Sequence, residues 1–312
     1  MEIKKLGNTS VSISELSLGA MALSLITKPP ELQAIETIHR GLDFGINLID
    51  TADSYCRDES DKHDNERLIR KALQQYNGDT SNVFIVTKGG YTRSGGNWIL
   101  NGNPDHLRQT IRESFEALGG DKPIDMWLHH RPDPNYTIER SLTPAKEAVK
   151  EGIIRFVGLS NYSVEEIKRA REVVEIVAIQ NQFNPWYRHP EFDGVLKYCE
   201  QEGLTFMASS PFGGIKGARR TSPLENLSVF TQIAEEKGIS IYNLMLAWLR
   251  TKSPIIVPII GASKPASVEA SVNALTIKLS SEEVNRLDRS VPFNHLKEKL
   301  KLIKKQLKQL IK

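Results

Sequence analysis

The chain has 312 residues, 39% hydrophobic, 25% charged and 7% aromatic, a balance that excludes a disordered, collagen-like or disulfide-stapled protein. No stretch approaches the ~20 apolar residues of a membrane span, and no apolar signal core follows Met1 to Lys5, so a cytoplasmic protein is expected. The formal charge of +3 is carried by residues 296–312, with seven lysines and one glutamate; the body is net acidic, and no nucleic-acid partner is expected.

Short apolar runs alternate with amphipathic segments along the body. A hairpin over 2–5 and 11–13 turns at Gly7 and Asn8. The pattern then predicts a strand at 16–18, a helix at 30–44, a strand at 48–50, a helix at 65–75, a strand at 83–87, a helix at 104–118, a strand at 124–129 and a helix at 143–150. The second half continues with 154–159, 164–173, 176–180, 190–202, 205–208, two helical stretches within 227–252, 255–258 and 265–275. The strands are continuous apolar runs, as expected when both faces are buried, and each crossover is long enough to return parallel. A closed (β/α)8 TIM barrel over 1–293, with the N-terminal β-hairpin and extra C-terminal helices, is the expected fold. A doubly wound sheet is the rival, but its Gly-rich turn is missing: Leu18-Gly19-Ala20-Met21-Ala22 follows the first barrel strand. Residues 294–312 read as a basic amphipathic helix, with Leu296, Leu300, Ile303, Leu307 and Leu310 in one stripe, suited to packing on the body, self-association or a partner contact.

Polar residues stand where the apolar runs stop: Asp50, then Lys88, then the pair His129-His130, with Tyr55 five residues after Asp50. In a parallel barrel such endings meet at one mouth, where chemistry is done. A buried ammonium at Lys88 needs the Asp50 carboxylate as counter-charge. Its charge beside Tyr55 is expected to favour the phenolate and pull the phenol below its usual ~10. A tyrosine so placed is suited to protonating a carbonyl oxygen as hydride adds, with His130 directing that oxygen. Cys56 and Cys199 form no CxxC, suggest a reducing compartment and imply no metal. Cys56, beside Tyr55, is a redox-sensitive neighbour only if its thiol is exposed and its pKa lowered.

The run Ile49-Asp50-Thr51-Ala52, Tyr55, Asn65-Glu66, Thr87-Lys88, Ile124-Asp125 through His130-Arg131-Pro132-Asp133, and Gly158 to Tyr162 resembles the aldo/keto reductase family. The resemblance extends from Leu16 to about Asp288. It implies an NAD(P)H-dependent barrel enzyme acting on a small-molecule carbonyl substrate, with Asp50, Tyr55, Lys88 and His130 as catalytic tetrad. It assigns Ser160, Asn161 and Gln180 to the nicotinamide carboxamide. Ser209, Ser210, Pro211, Phe212, Gly213, Gly214 and Lys216 correspond to the loop around the pyrophosphate, with Ser209 where an aromatic ring often stacks. Gly261, Ser263, Lys264, Ser267 and Ser271 fall at the adenosine end, where Ser267 replaces a frequent arginine. NADPH is expected, with NADH as the alternative.

The charged stretch 56–64 gives Tyr55 a polar rim, and Trp98, Arg131 and Trp186 are the substrate-binding candidates. These features suggest a polar aldehyde, pyridoxal-like or sugar-like. Two other functional classes stand beside a reductase: a nucleotide-sensing interaction protein contacting its partner through the basic tail, and a Schiff-base lyase using Lys88 as nucleophile.

Overall fold

The computed structural model describes residues 1–214 and 227–293; Lys216 and the expected helix over 294–312 lie outside the described residues. The hairpin pairs β1 (Ile3–Lys5) with β2 (Ser12–Ser14). Then β3 (Ser17–Gly19) leads through a turn of π-helix, Ala22–Ile26, to α1 (Glu31–Asp43), and β4 (Leu48–Asp50) leads to α2 (Asp64–Gln75). The loop after β5 (Phe84–Gly89) carries a second hairpin, β6 (Tyr91–Thr92) and β7 (Ile99–Leu100), before α3 (Pro104–Leu118). Next come β8 (Ile124–His129), α4 (Ile138–Lys150), β9 (Ile154–Ser160), α5 (Val164–Arg171), β10 (Ile176–Gln182), α6 (His189–Phe192) and α7 (Val195–Glu202). The described part ends with β11 (Thr205–Ser209), α8 (Ser228–Glu236), α9 (Ile241–Arg250), β12 (Ile256–Gly261), α10 (Pro265–Asn273) and α11 (Ser281–Ser290).

The eight strands β3, β4, β5, β8, β9, β10, β11 and β12 form a closed parallel barrel in chain order, the ring being sealed where Ile259 and Ile260 of β12 pair with Ser17 and Leu18 of β3. That closure excludes the doubly wound sheet. No helix among the described residues is long and apolar enough to cross a membrane.

Alternation along each strand sorts the side chains. Ile49, Ile85, Trp127, Val157, Leu159 and Ile179 belong to the layers between barrel and helices, whereas Leu48, Phe84, Val86, Met126, Leu128 and Met207 pack together in one further buried cluster with Leu6 and Ile13 of the N-terminal segment. The hairpin thus closes one end with apolar side chains. Each buried large side chain contributes ~1.5–3 kcal/mol. Because side chains alternate with a period of two, the next position on the Leu48, Val86 and Leu128 side is Asp50, Lys88 and His130, at the opposite end. His129 shares the parity of Trp127 and faces the helices, where its Nδ1 meets the Tyr162 hydroxyl at 2.6 Å.

Three elements differ from the sequence expectation. The helix expected at 143–150 starts at Ile138, capped by the Thr137 hydroxyl accepting the Arg140 N–H, and carries Pro144 inside it. Pro144 lacks the N–H that would reach back one turn, so it imitates a helix start, while the buried face of Ile138, Leu142, Ala145 and Ala148 holds the helix through the gap. The helix expected at 190–202 breaks at Asp193 and Gly194, where Gly194 has φ +88°. The β6–β7 hairpin falls between the strand expected at 83–87 and the helix expected at 104–118, where the sequence pattern predicts no element.

Gly158 on β9 sits where the neighbouring strands leave no room for a side chain: a Cβ there would stand 2.8 Å from the Ala178 carbonyl oxygen and overlap the Leu128 side chain. Gly158→Ala should therefore cost about 1–3 kcal/mol in chemical denaturation; an unchanged midpoint would show that β9 and β10 are not held this closely.

Candidate active site

Asp50 ends β4, Lys88 is the penultimate residue of β5, and His130 follows β8, its N–H extending the ladder to the Gly89 carbonyl at 2.9 Å. Tyr55 sits on the loop after β4. That loop is fixed from below: the Asn65 amide donates to the Ala20 carbonyl (2.8 Å) and to Ser24 Oγ (2.6 Å), and Ser24 Oγ donates to the Tyr55 carbonyl (2.5 Å). The Thr51 hydroxyl donates to Asn65 Oδ1 at 2.6 Å. The Asn-Glu pair at the start of α2 thereby positions the tyrosine, with Glu66 accepting from the Thr87 hydroxyl at 2.5 Å.

The Lys88 ammonium is fully buried, and its three donors have three acceptors: Asp50 Oδ1 at 2.7 Å, the Thr51 carbonyl at 2.7 Å and Tyr55 Oη at 3.1 Å. Burial acts against the charge, but the Asp50 carboxylate and the Tyr55 oxygen outweigh it and raise the Lys88 pKa. Tyr55 departs from expectation: burial pushes its phenol up and wins over the opposing pull of Lys88, so it ionises above rather than below its usual range. His130 is held well below 6.5 by burial and by Lys88, Arg131 and His129, so its ring is neutral at pH 7.

Gln180, on β10, donates its side-chain amide to Asp50 Oδ2 at 2.7 Å. Ser160 lies beside it in register on β9, and Asn161, in the left-handed region at φ +62°, donates to the His130 carbonyl (3.1 Å) and to Ser160 Oγ (2.9 Å). Ser209 ends β11. Ser210 (φ +54°), Gly213 (φ +84°) and Gly214 (φ +66°) curl the following loop, with Pro211 buried and Phe212 edge-on to Tyr242. Gly261 ends β12; the Ser263 carbonyl accepts from Gln33, and Lys264 is the residue before α10. Ser267 lies in the first turn of that helix, and Ser271, one turn on, donates its hydroxyl to the Ser267 carbonyl at 2.9 Å. Ser160, Asn161, Gln180, Ser209 and Gly261 stand at or near the C-terminal ends of their strands, the same end of the barrel as Asp50, Lys88 and His130.

Trp98, on the outer hairpin, stands edge-on to Tyr55 (6.4 Å), His130 (6.2 Å) and Tyr91 (5.3 Å). Arg93 backs it: the guanidinium lies 4.2 Å over the indole while Nε donates to the Cys56 carbonyl at 3.1 Å and the backbone N–H to Glu59 at 2.6 Å. Arg131 is near enough for its charge to act on Tyr91 and His130, and its Nε has no partner among the described residues. Trp186 packs against the outer core. The rim is less available than its composition suggests, because Glu59, Lys62, His63 and Asp64 are each engaged by a neighbour. Cys56 is buried with its thiol pushed up to about 12, the reverse of a redox-reactive cysteine. Tyr91 and Arg93 were not singled out in the sequence; their signal was closeness to Gly89-Gly90 at a strand end.

The profile of the aldo/keto reductase family matches residues 15–292. The chain belongs to this family. Aldo/keto reductases are oxidoreductases that use nicotinamide cofactors. An oxidoreductase of Schizosaccharomyces pombe, C215.11c, is 36% identical over 281 residues, covering 88% of this chain and 86% of that protein. The thermostable aldo-keto reductase Tm1743, solved with the inhibitor epalrestat, is 29% identical with a TM-score of 0.78, over 93% of this chain and 100% of that one. The glycerol dehydrogenase AKR11B4 of Gluconobacter oxydans shares the fold at 23% identity, with a TM-score of 0.80 over 94% and 98% of the two chains.

Near Tyr55, Asp53 is fully buried, and burial together with Glu66 raises its pKa to about 7. Unfolded, the group ionises near 4, so holding it folded becomes costly as pH rises from 4 to 7 and stays so above. Asp53→Asn should leave stability nearly unchanged at pH 4 and increase it by on the order of 2–4 kcal/mol above pH 7. Melting curves at both pH values check this, and an equal effect at the two would refute it.

Proposed function

We propose that this chain reduces aldehydes or ketones to alcohols with NAD(P)H, with Tyr55 as the proton donor. The observation that carries the reading is the Lys88 ammonium held against Asp50 and the Tyr55 hydroxyl together. A reduced nicotinamide, when bound, supplies hydride to the carbonyl carbon. Tyr55 gives its proton to the carbonyl oxygen, and the phenolate left behind is stabilised by Lys88. His130, neutral, offers a ring N–H to that same oxygen. The protein groups suit such a cofactor: Gln180 spends one amide N–H on Asp50 and keeps the other, with its carbonyl, for a carboxamide. At the far end, α10 opens with no side-chain cap on its first N–H groups, which suits a phosphate. Lys264 and Ser263 beside it favour NADPH over NADH.

Trp98 and His130 stand edge-on to Tyr55, and Tyr91 stands edge-on to both of them, which favours a ring-bearing polar aldehyde of pyridoxal type over a sugar. Arg131 is the candidate for a polar substituent. Lys88 with all three N–H groups occupied and a raised pKa is poorly suited to Schiff-base chemistry.

Tyr55→Phe should lower turnover of an aromatic aldehyde by 10²–10⁴-fold while leaving NADPH binding, followed by fluorescence, intact; surviving turnover would remove Tyr55 from its role. Since the acid form of a tyrosine with a raised pKa is the active one, kcat for reduction should be level through neutral pH and decline only above ~10. A decline centred near pH 7 would point to another acid.

A further inference from the structure

Asp50 and Gln180 come from opposite walls of the barrel, since β4 and β10 are four strands apart in either direction round the ring. Their hydrogen bond crosses the mouth. Lys88 occupies one Asp50 oxygen and Gln180 the other, both at 2.7 Å, so the carboxylate is gripped from two sides and its plane is set. Gln180 is itself held, being buried on β10 with its backbone carbonyl accepting the Asn161 N–H at 3.0 Å.

We propose that Gln180 is a positioning residue for Tyr55: its amide fixes the Asp50 carboxylate so that Lys88 is directed at the Tyr55 hydroxyl. That Tyr55 is the proton donor and that Gln180 also meets the nicotinamide rest on the proposed function; the positioning does not. One neutral side chain then touches both the charge that governs the proton and the cofactor that carries the hydride. The amide also brings the positive end of an N–H dipole to Asp50, offsetting part of a charge that opposes Tyr55 ionisation. The other charged groups acting there are Lys88, Asp53 and, through His130, Arg131.

Gln180→Glu tests this, because two carboxylates at hydrogen-bond distance cannot both ionise freely. Protonated, the new glutamic acid donates to Asp50 as glutamine does; ionised, it adds negative charge near Tyr55. Protein made with 3-fluorotyrosine, whose phenol ionises in an accessible range, allows Tyr55 to be followed by ¹⁹F NMR without cofactor, the resonance being assigned with Tyr55→Phe. The expected result is an upward shift of the Tyr55 titration by about one pH unit or more. In unlabelled enzyme at saturating NADPH, kcat should fall about tenfold or more as the new pair ionises, with a much smaller change in the NADPH dissociation constant. Gln180→Met, which removes the donor without adding charge, should shift the titration the same way by less, and serves if the glutamate variant does not fold. An unmoved Tyr55 titration, with only NADPH affinity altered, would overturn the positioning role. If the wild-type protein reduces no carbonyl but the titration still moves, the proposed reaction fails and the positioning role stands.

Discussion

A charged amine with no access to water is the constraint around which the mouth of this barrel is built. Burying an ammonium costs several kcal/mol unless its charge and all of its hydrogens are met. Lys88 is met completely, by a carboxylate, a backbone carbonyl and a phenol oxygen. Each acceptor in turn needs a fixed address. Asp50 receives it from the last rung of β4, and Thr51 and Tyr55 receive it from the loop that Asn65 and Ser24 tie to α2 and the first π-turn. The placement of a helix start outside the barrel is therefore part of how the Tyr55 hydroxyl is aimed inside it.

The same mouth separates charge from shape. The Lys88 and Asp50 charges are internal and neutralise each other, whereas the rings beside Tyr55, Trp98 and His130 with Tyr91 behind them, stand edge to face. Arg93 joins the two regimes, lying flat on the indole while bonded to the loop that follows the tyrosine. The acidic and basic residues of 56–64 looked in the sequence like a polar reception for substrate. In the folded chain several of them stabilise the loop they occupy.

Strand periodicity made much of this readable in advance. A two-residue alternation carries an apolar interior up to Asp50, Lys88 and His130, and it also decides between two adjacent histidines, since His129 falls on the Trp127 side. What periodicity cannot carry is anything set by distance across the barrel or by desolvation. The contact from Gln180 to Asp50 links residues 130 positions apart. The upward rather than downward displacement of Tyr55 depends on how much water is lost, for which residue type is no guide. Pro144 misled for a local reason, because one missing N–H looks the same at a helix start and within a helix whose tertiary packing is strong enough to tolerate it.

The closure of β12 onto β3 has a bearing on how the protein behaves in company. An open sheet offers unpaired N–H and C=O groups that another chain can extend, and a sealed ring offers none. Among the described residues, strand edges outside the barrel belong to two hairpins, one of three-residue strands bearing Lys4 and Lys5 and one of two-residue strands. Such edges are too short to template intermolecular pairing. Runs such as Val83 to Thr87, rich in β-branched and aromatic side chains, are hazardous only while the ring is unclosed, so resistance to aggregation should follow the rate of barrel closure more closely than the stability of the finished fold.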